Sequence, residues 1–143
     1  MKRASALAPL SRGHHHALVV AAQLRRATSL TTDQACDAFL AYWDGEGREH
    51  FRQEEEILLP VYGRYGDPHH PLIARVLCEH VTIRGLAAAV AGSSPTVAML
   101  RELGVALSDH IRLEERSLFP LIEQAVPPAA LERIAGRFAS AAA

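Results

Sequence analysis

The stretch REHFRQEEEILLPVY, residues 48–62, returns sixty positions later as SDHIRLEERSLFPLI, residues 108–122. Six positions are identical: His50/His110, Arg52/Arg112, Glu54/Glu114, Glu55/Glu115, Leu58/Leu118 and Pro60/Pro120. On a helix, residues four apart lie about 40° apart on one face, one turn above the other. Each copy therefore sets an imidazole beside a carboxylate. Two such helices facing each other would enclose a cluster of nitrogen and oxygen donors.

Working outward from these blocks, apolar residues recur at spacings of three and four, and no segment shows the alternation of a strand. The pattern predicts a first helix from about Leu10 to Thr28, with His15, Leu18, Val19 and Ala22 on its inner face. A second runs from about Asp33 to Gly63 on Phe39, Trp43, Glu46, His50, Glu54, Ile57 and Val61, with Thr31 or Thr32 as its cap. The third covers about Pro71 to Ala91 on Leu72, Val76, His80, Ile83, Ala87 and Val90. A fourth opens at Ser94-Pro95 and reaches about Ala125 on Met99, Leu103, Ala106, His110, Glu114, Ser117 and Leu121. Residues 129–139 form a short fifth helix. Pro60 and Pro120 should kink or end their helices. Short connections then predict an all-α, up-down-up-down four-helix bundle, a single domain over residues 1–143.

With 143 residues, 49% of them hydrophobic and 22% charged, the chain is long enough to bury a core and reads as soluble. A net charge of −1 without a basic block argues against nucleic acid or an anionic membrane as partner. No run approaches the ~18 apolar residues of a membrane span, and Pro9 interrupts the apolar stretch after Lys2-Arg3 too early for a signal peptide. Cys36 and Cys78 match no ligand spacing and are expected to be small core residues in a reducing cytoplasm.

Eight histidines is the unusual count. The two halves correspond, because HHALVVA after His14 aligns with HVTIRGL after Glu79 and pairs His15 with His80. This alignment proposes six metal ligands: His15, His50, Glu54, His80, His110 and Glu114. His14 and His16 flank His15 by about 100° to either side, so one of the three faces inward. Glu46, one turn before His50, is a candidate for an extra ligand, or pairs with an arginine such as Arg84. Burying four imidazoles and two carboxylates without a cation would cost several kcal/mol per unpaired charge. Mixed nitrogen and oxygen donors in a bundle core suit iron or manganese, as a pair if the carboxylates bridge.

The duplicated HxxxEE…LxP blocks, with a histidine on each intervening helix, resemble the hemerythrin-like HHE cation-binding domains over roughly residues 8–125. The resemblance implies a four-helix bundle holding a non-haem di-iron centre, two iron ions bridged by carboxylates and by an oxo or hydroxo group. It assigns His50 and His110 as the motif histidines, Glu54 and Glu114 as the bridging carboxylates, and His80 as the ligand of the third helix. The chain departs from the oxygen-carrying hemerythrins at Arg84, where those have a second histidine. It departs again at Glu114, four residues after its histidine, where they have an aspartate at the fifth position.

Two imidazoles per ion, rather than the unequal shares of the five-histidine carriers, imply an open position on each ion. Three classes of function follow: a di-iron protein binding or sensing oxygen, iron or a redox signal; an enzyme acting on peroxide or nitric oxide; or a structural metal-binding interaction module. The expected partners are dioxygen, peroxide or another small diatomic molecule or anion. A homodimer or a separate redox partner is compatible with each.

Overall fold

In the computed structural model, which describes residues 2–142 and only the backbone of residues 139–142, all regular elements are helices. They are α1 (Ala8–Arg25), α2 (residues 32–65), α3 (Pro71–Gly92), α4 (residues 97–125) and α5 (Pro128–Ala142). Short links join the first four. His14 lies beside Glu114 while Ala21 and Arg25 lie beside Gly104, so α1 and α4 are antiparallel. His14 beside His50, and His16 beside Glu46, give the same sense to α1 and α2. The up-down-up-down bundle follows.

Local chemistry starts the helices, though not always at the expected residue. The Thr96 hydroxyl accepts the Met99 N–H at 3.1 Å and caps α4, two residues beyond Ser94. His70 Nδ1 accepts the Leu72 N–H at 3.1 Å ahead of Pro71, which opens α3. The Thr31 hydroxyl accepts the Thr28 N–H at 2.9 Å, closing the turn before α2 rather than capping it.

Pro60 and Pro120 do not end their helices, which continue to Tyr65 and Ala125. Each proline follows a single wide π turn, residues 54–58 and 114–118, in which the Leu59 N–H bonds the Glu54 carbonyl and the Phe119 N–H that of Glu114. The extra residue in the turn displaces the carbonyl that an α-helical proline ring would strike. A third π turn, residues 43–47, closes with Arg48 N–H to the Trp43 carbonyl.

The apolar core divides in two. One cluster gathers Leu7, Leu10, Leu58, Tyr62, Val76, Phe119 and Ile122 at one end, where α5 adds Leu131, Ile134 and Phe138. The other holds Leu24, Phe39, Trp43, Phe51, Ile83, Leu103 and Ile111. On every bundle helix a buried polar residue, His14, Glu54, His80 or Glu114, falls between these two groups, so a polar layer crosses the middle of the molecule. The cysteines are both free. Cys78 is exposed and Cys36 only partly buried, which corrects their expected place in the core: Val76 and His80 set the inner face of α3 and turn Cys78 outward. No helix among the described residues is long and apolar enough to cross a membrane.

Candidate metal centre

The polar layer consists of His14 from α1, His50 and Glu54 from α2, His80 from α3, and His110 and Glu114 from α4. Glu54, His110 and Glu114 are 0% exposed, His80 1% and His14 3%, burial that charged groups tolerate only when paired. These side chains form two overlapping groups able to hold a metal ion: His14, His50, Glu54 and Glu114, and Glu54, His80, His110 and Glu114. Both glutamates belong to both groups.

Distances show how the carboxylates are shared. Glu54 turns Oε2 to His50 Nε2 at 3.3 Å and Oε1 to His80 Nε2 at 3.2 Å. Glu114 turns Oε1 to His14 Nε2 at 3.0 Å and Oε2 to His110 Nε2 at 3.4 Å. The longer approaches match too, with His14 to Glu54 at 3.9 Å and His80 to Glu114 at 3.8 Å. The rings of each imidazole pair, His14–His50 and His80–His110, have centroids 4.7 Å apart. A local two-fold relation therefore exchanges α1 with α3 and α2 with α4.

Behind this layer stand carboxylates that hold the other ring nitrogen. His14 Nδ1 lies 2.9 Å from Glu115, His80 Nδ1 2.6 Å from Glu55 and His110 Nδ1 2.8 Å from Glu79. With Nδ1–H donating outward, the neutral ring presents the Nε2 lone pair to the interior, the form that ligates metals. Arg84 bonds Glu55 at 3.0 Å and Arg3 bonds Glu115 at 2.9 Å, fixing those carboxylates in turn.

In the metal-free protein the carboxylates around these imidazoles also hold protons on them. Burial opposes charge on His14, but Glu114 and Glu115 outweigh it and raise the imidazole to about 9. His80 rises to about 9 against the same burial, through Glu114 and Glu54. His110 reaches about 10, through Glu114 and Glu79. Glu114 is held well below the ordinary carboxylate range: burial opposes its charge, and His110, then His14 and His80, overcome that.

Two of the residues named from sequence do not join the layer. His15 is exposed, and His14 takes its place. The buried face of α1 reads Leu10, His14, Ala17, Ala21 and Leu24, one residue out of step with the expected stripe, and leaves Val19 55% exposed. The close contact with α4 decides this register: a β-carbon on Gly104 would come within 2.8 Å of the Ala21 carbonyl oxygen. Small Ala17 and Ala21 permit that approach, whereas Leu18 and Val19 would hold the helices apart.

Glu46 is exposed and pairs with His16, not with Arg84. The π turn at 43–47 inserts a residue, so the buried stripe of α2 runs Phe39, Trp43, Gly47, Phe51 and Glu54 and bypasses Glu46. Glu55, Glu79 and Glu115 went unassigned by sequence as partners of the imidazoles. The repeated Glu-Glu doublet, and a glutamate directly before His80, are the signals that mark them.

Both oxygens of Glu54 and of Glu114, with Nε2 of His80 and His110, are buried and lack a hydrogen-bond partner in the structure. Orphaned donors of this kind aimed into one interior space are what a cation site requires, and the absence of thiolates from the set suits a metal that accepts mixed nitrogen and oxygen ligands. Comparison with known proteins agrees. The family model of the Hemerythrin HHE cation binding domain matches residues 6–122. Comparison with curated proteins and with solved structures gave no match. With the match spanning all four bundle helices up to the end of the second repeat, and with a metal-binding His/Glu cluster at its centre, the chain belongs to the hemerythrin HHE cation-binding family.

Proposed function

We propose that the centre holds two iron ions and that the protein binds or senses dioxygen, iron or a redox signal without turning a substrate over. His14 and His50 would hold one ion, His80 and His110 the other, with Glu54 and Glu114 shared between them. The observation that carries this reading is the division of each carboxylate, one oxygen toward each imidazole pair. A single-ion site would need only one oxygen from each.

Bound iron would supply reversible electron exchange and an open position for a small molecule. The chain itself supplies the rest. Three outer carboxylates fix imidazole tautomers, and the two apolar clusters exclude water from both ends of the layer. Phe51 stacks on His80 with ring centroids 3.9 Å apart, and Phe119 on His14 at 5.3 Å, restraining ring rotation.

The test is metal analysis of protein produced in iron-supplemented culture. Two irons per chain are expected, and both Glu54→Ala and Glu114→Ala should lose both ions together. Zinc at one per chain under the same conditions would refute the di-iron reading. A colour change reversed by removing dioxygen would support binding over turnover.

A further inference from the structure

Among the carboxylates that hold the imidazoles, the local two-fold relation fails at one position. Glu115 on His14 is matched by Glu55 on His80. Glu79, directly before His80, holds Nδ1 of His110. The matching position, directly before His14, is Gly13, where a β-carbon would come 3.1 Å from His50 Nδ1. Glycine offers no carboxylate there. His50 is accordingly the one imidazole of the four whose Nδ1 has no side-chain partner among the described residues.

The same glycine leaves space. A cavity of about 290 Å³ lies against His50 and is lined also by Gly13, Tyr42, Glu46, Glu49 and Gln53. The His50 side chain is 11% exposed, against 4% for His14, 2% for His80 and 0% for His110. The His80–His110 pair is thus enclosed and braced by a carboxylate on each ring. On the His14–His50 side one ring is unbraced and faces a cavity with two acidic side chains, Glu46 against His16 and Glu49 against Arg52.

We propose that the two ion positions are inequivalent: the one on the His14–His50 side is exchangeable, and the cavity beside His50 is the route by which a divalent cation enters and leaves it. This rests on the two-ion reading above. An outer carboxylate fixes ring orientation and raises ligand basicity, and losing one typically lowers metal affinity about 10- to 100-fold. Access to water through the cavity adds to the difference, because a chelator or solvent can reach the unbraced ligand.

The full-length protein is saturated with cobalt(II), mixed with excess chelator, and followed by its visible absorption and by metal content. Two cobalt ions per chain should leave in two phases separated by about tenfold or more. Gly13→Glu, which places a glutamate where the other half has Glu79, should slow the fast phase toward the slow one. Glu79→Ala should speed the slow phase. Gly45→Trp provides an independent check, since a β-carbon at Gly45 meets nothing within 4 Å and a large side chain there can fill the cavity. It should slow the fast phase while two ions still bind. Two ions leaving in one phase, or a fast phase that neither Gly13→Glu nor Gly45→Trp slows, would overturn the inequivalence. Saturation at one ion per chain would instead refute the two-ion reading on which it stands.

Discussion

Alanine at Gly104 and alanine at Gly85 should move stability in opposite directions, although both replace a helical glycine. Neither glycine has a positive φ, so neither is needed for backbone conformation. Gly85 is exposed on α3 and a β-carbon there meets nothing within 4 Å. Gly85→Ala should therefore stabilise by about 0.4–1 kcal/mol, from lower chain entropy in the unfolded state and better helix propensity. Gly104 is buried against α1, where a β-carbon would stand 2.8 Å from the Ala21 carbonyl oxygen, the Arg25 nitrogen and Arg25 Cγ. Two of those atoms are backbone and cannot rotate away. Bringing the contacts back to about 3.5 Å requires α1 and α4 to part by roughly 0.7 Å. Overpacking of this kind costs about 1–3 kcal/mol, against at most about 1 kcal/mol of propensity gained. With the full propensity gain set against it the net loss should be up to about 2 kcal/mol, read as a lower urea midpoint at unchanged slope. Because α1 also carries His14, metal content of Gly104→Ala should fall with it. If Gly104→Ala proved as stabilising as Gly85→Ala, the close helix contact that turns His14 rather than His15 inward would be wrong.

Three further outcomes follow from the site. Glu55→Ala removes the carboxylate 2.6 Å from His80 Nδ1 and should weaken metal binding about 10- to 100-fold in a competition titration, with the fold intact by circular dichroism; unchanged affinity would deny Glu55 its orienting role. His14→Ala should lower the metal bound per chain whereas His15→Ala leaves it as in the parent, and equal losses would show that α1 presents a different face. For pH, the folded-state values of His14 and His80 near 9 and of His110 near 10 lie above the ordinary value of about 6.5. The metal-free protein should then keep this stabilisation fully below about pH 6.5 and lose it as pH rises through 9 to 10. Metal must displace the same protons, so uptake at pH 7 should acidify a weakly buffered solution and apparent affinity should climb with pH. Uptake without proton release would mean that these imidazoles are neutral in the metal-free protein.

The bundle was legible because its determinants are local. Periodic apolar stripes, Pro71 at a helix start and the glycine- and proline-bearing breaks at 63–71 and 92–95 each act within a turn or two. On α3 the stripe Val76, His80, Ile83, Ala87 and Val90 needed no knowledge of neighbours. The face of α1 did not have that property. In HHHALVVAA any of three histidines leads an apolar row, and the choice is made by a glycine some ninety residues later in the chain that admits alanine but not leucine. Glu46 failed for another reason. A strict 3.6-residue period carries no signal for an inserted residue, and α2 contains two π turns, each of which rotates everything beyond it. The expected Phe39, Trp43, Glu54 and Ile57 are buried all the same, and of that stripe only Glu46, inside the first π turn, is turned out to solvent.

The second glutamate of each doublet shows what the repeat encodes beyond ligands. Consecutive helix residues point about 100° apart, so Glu54 can enter the layer while Glu55 flanks it and reaches His80 on α3. In the same way Glu114 enters and Glu115 reaches His14 on α1. Each HxxxEE helix thus provides an imidazole, a shared carboxylate and the brace for an imidazole on another helix. The π turn that begins at the first glutamate of each doublet lies at the junction of these tasks. A lone histidine on α1 or α3 is then sufficient, because its orientation is set from α4 or α2 rather than by its own helix. Only the positions facing Nδ1 of His50 and of His110 fall outside the repeat, at Gly13 and Glu79; Glu79 braces His110, Gly13 leaves His50 without a brace, and there the two halves of the centre differ.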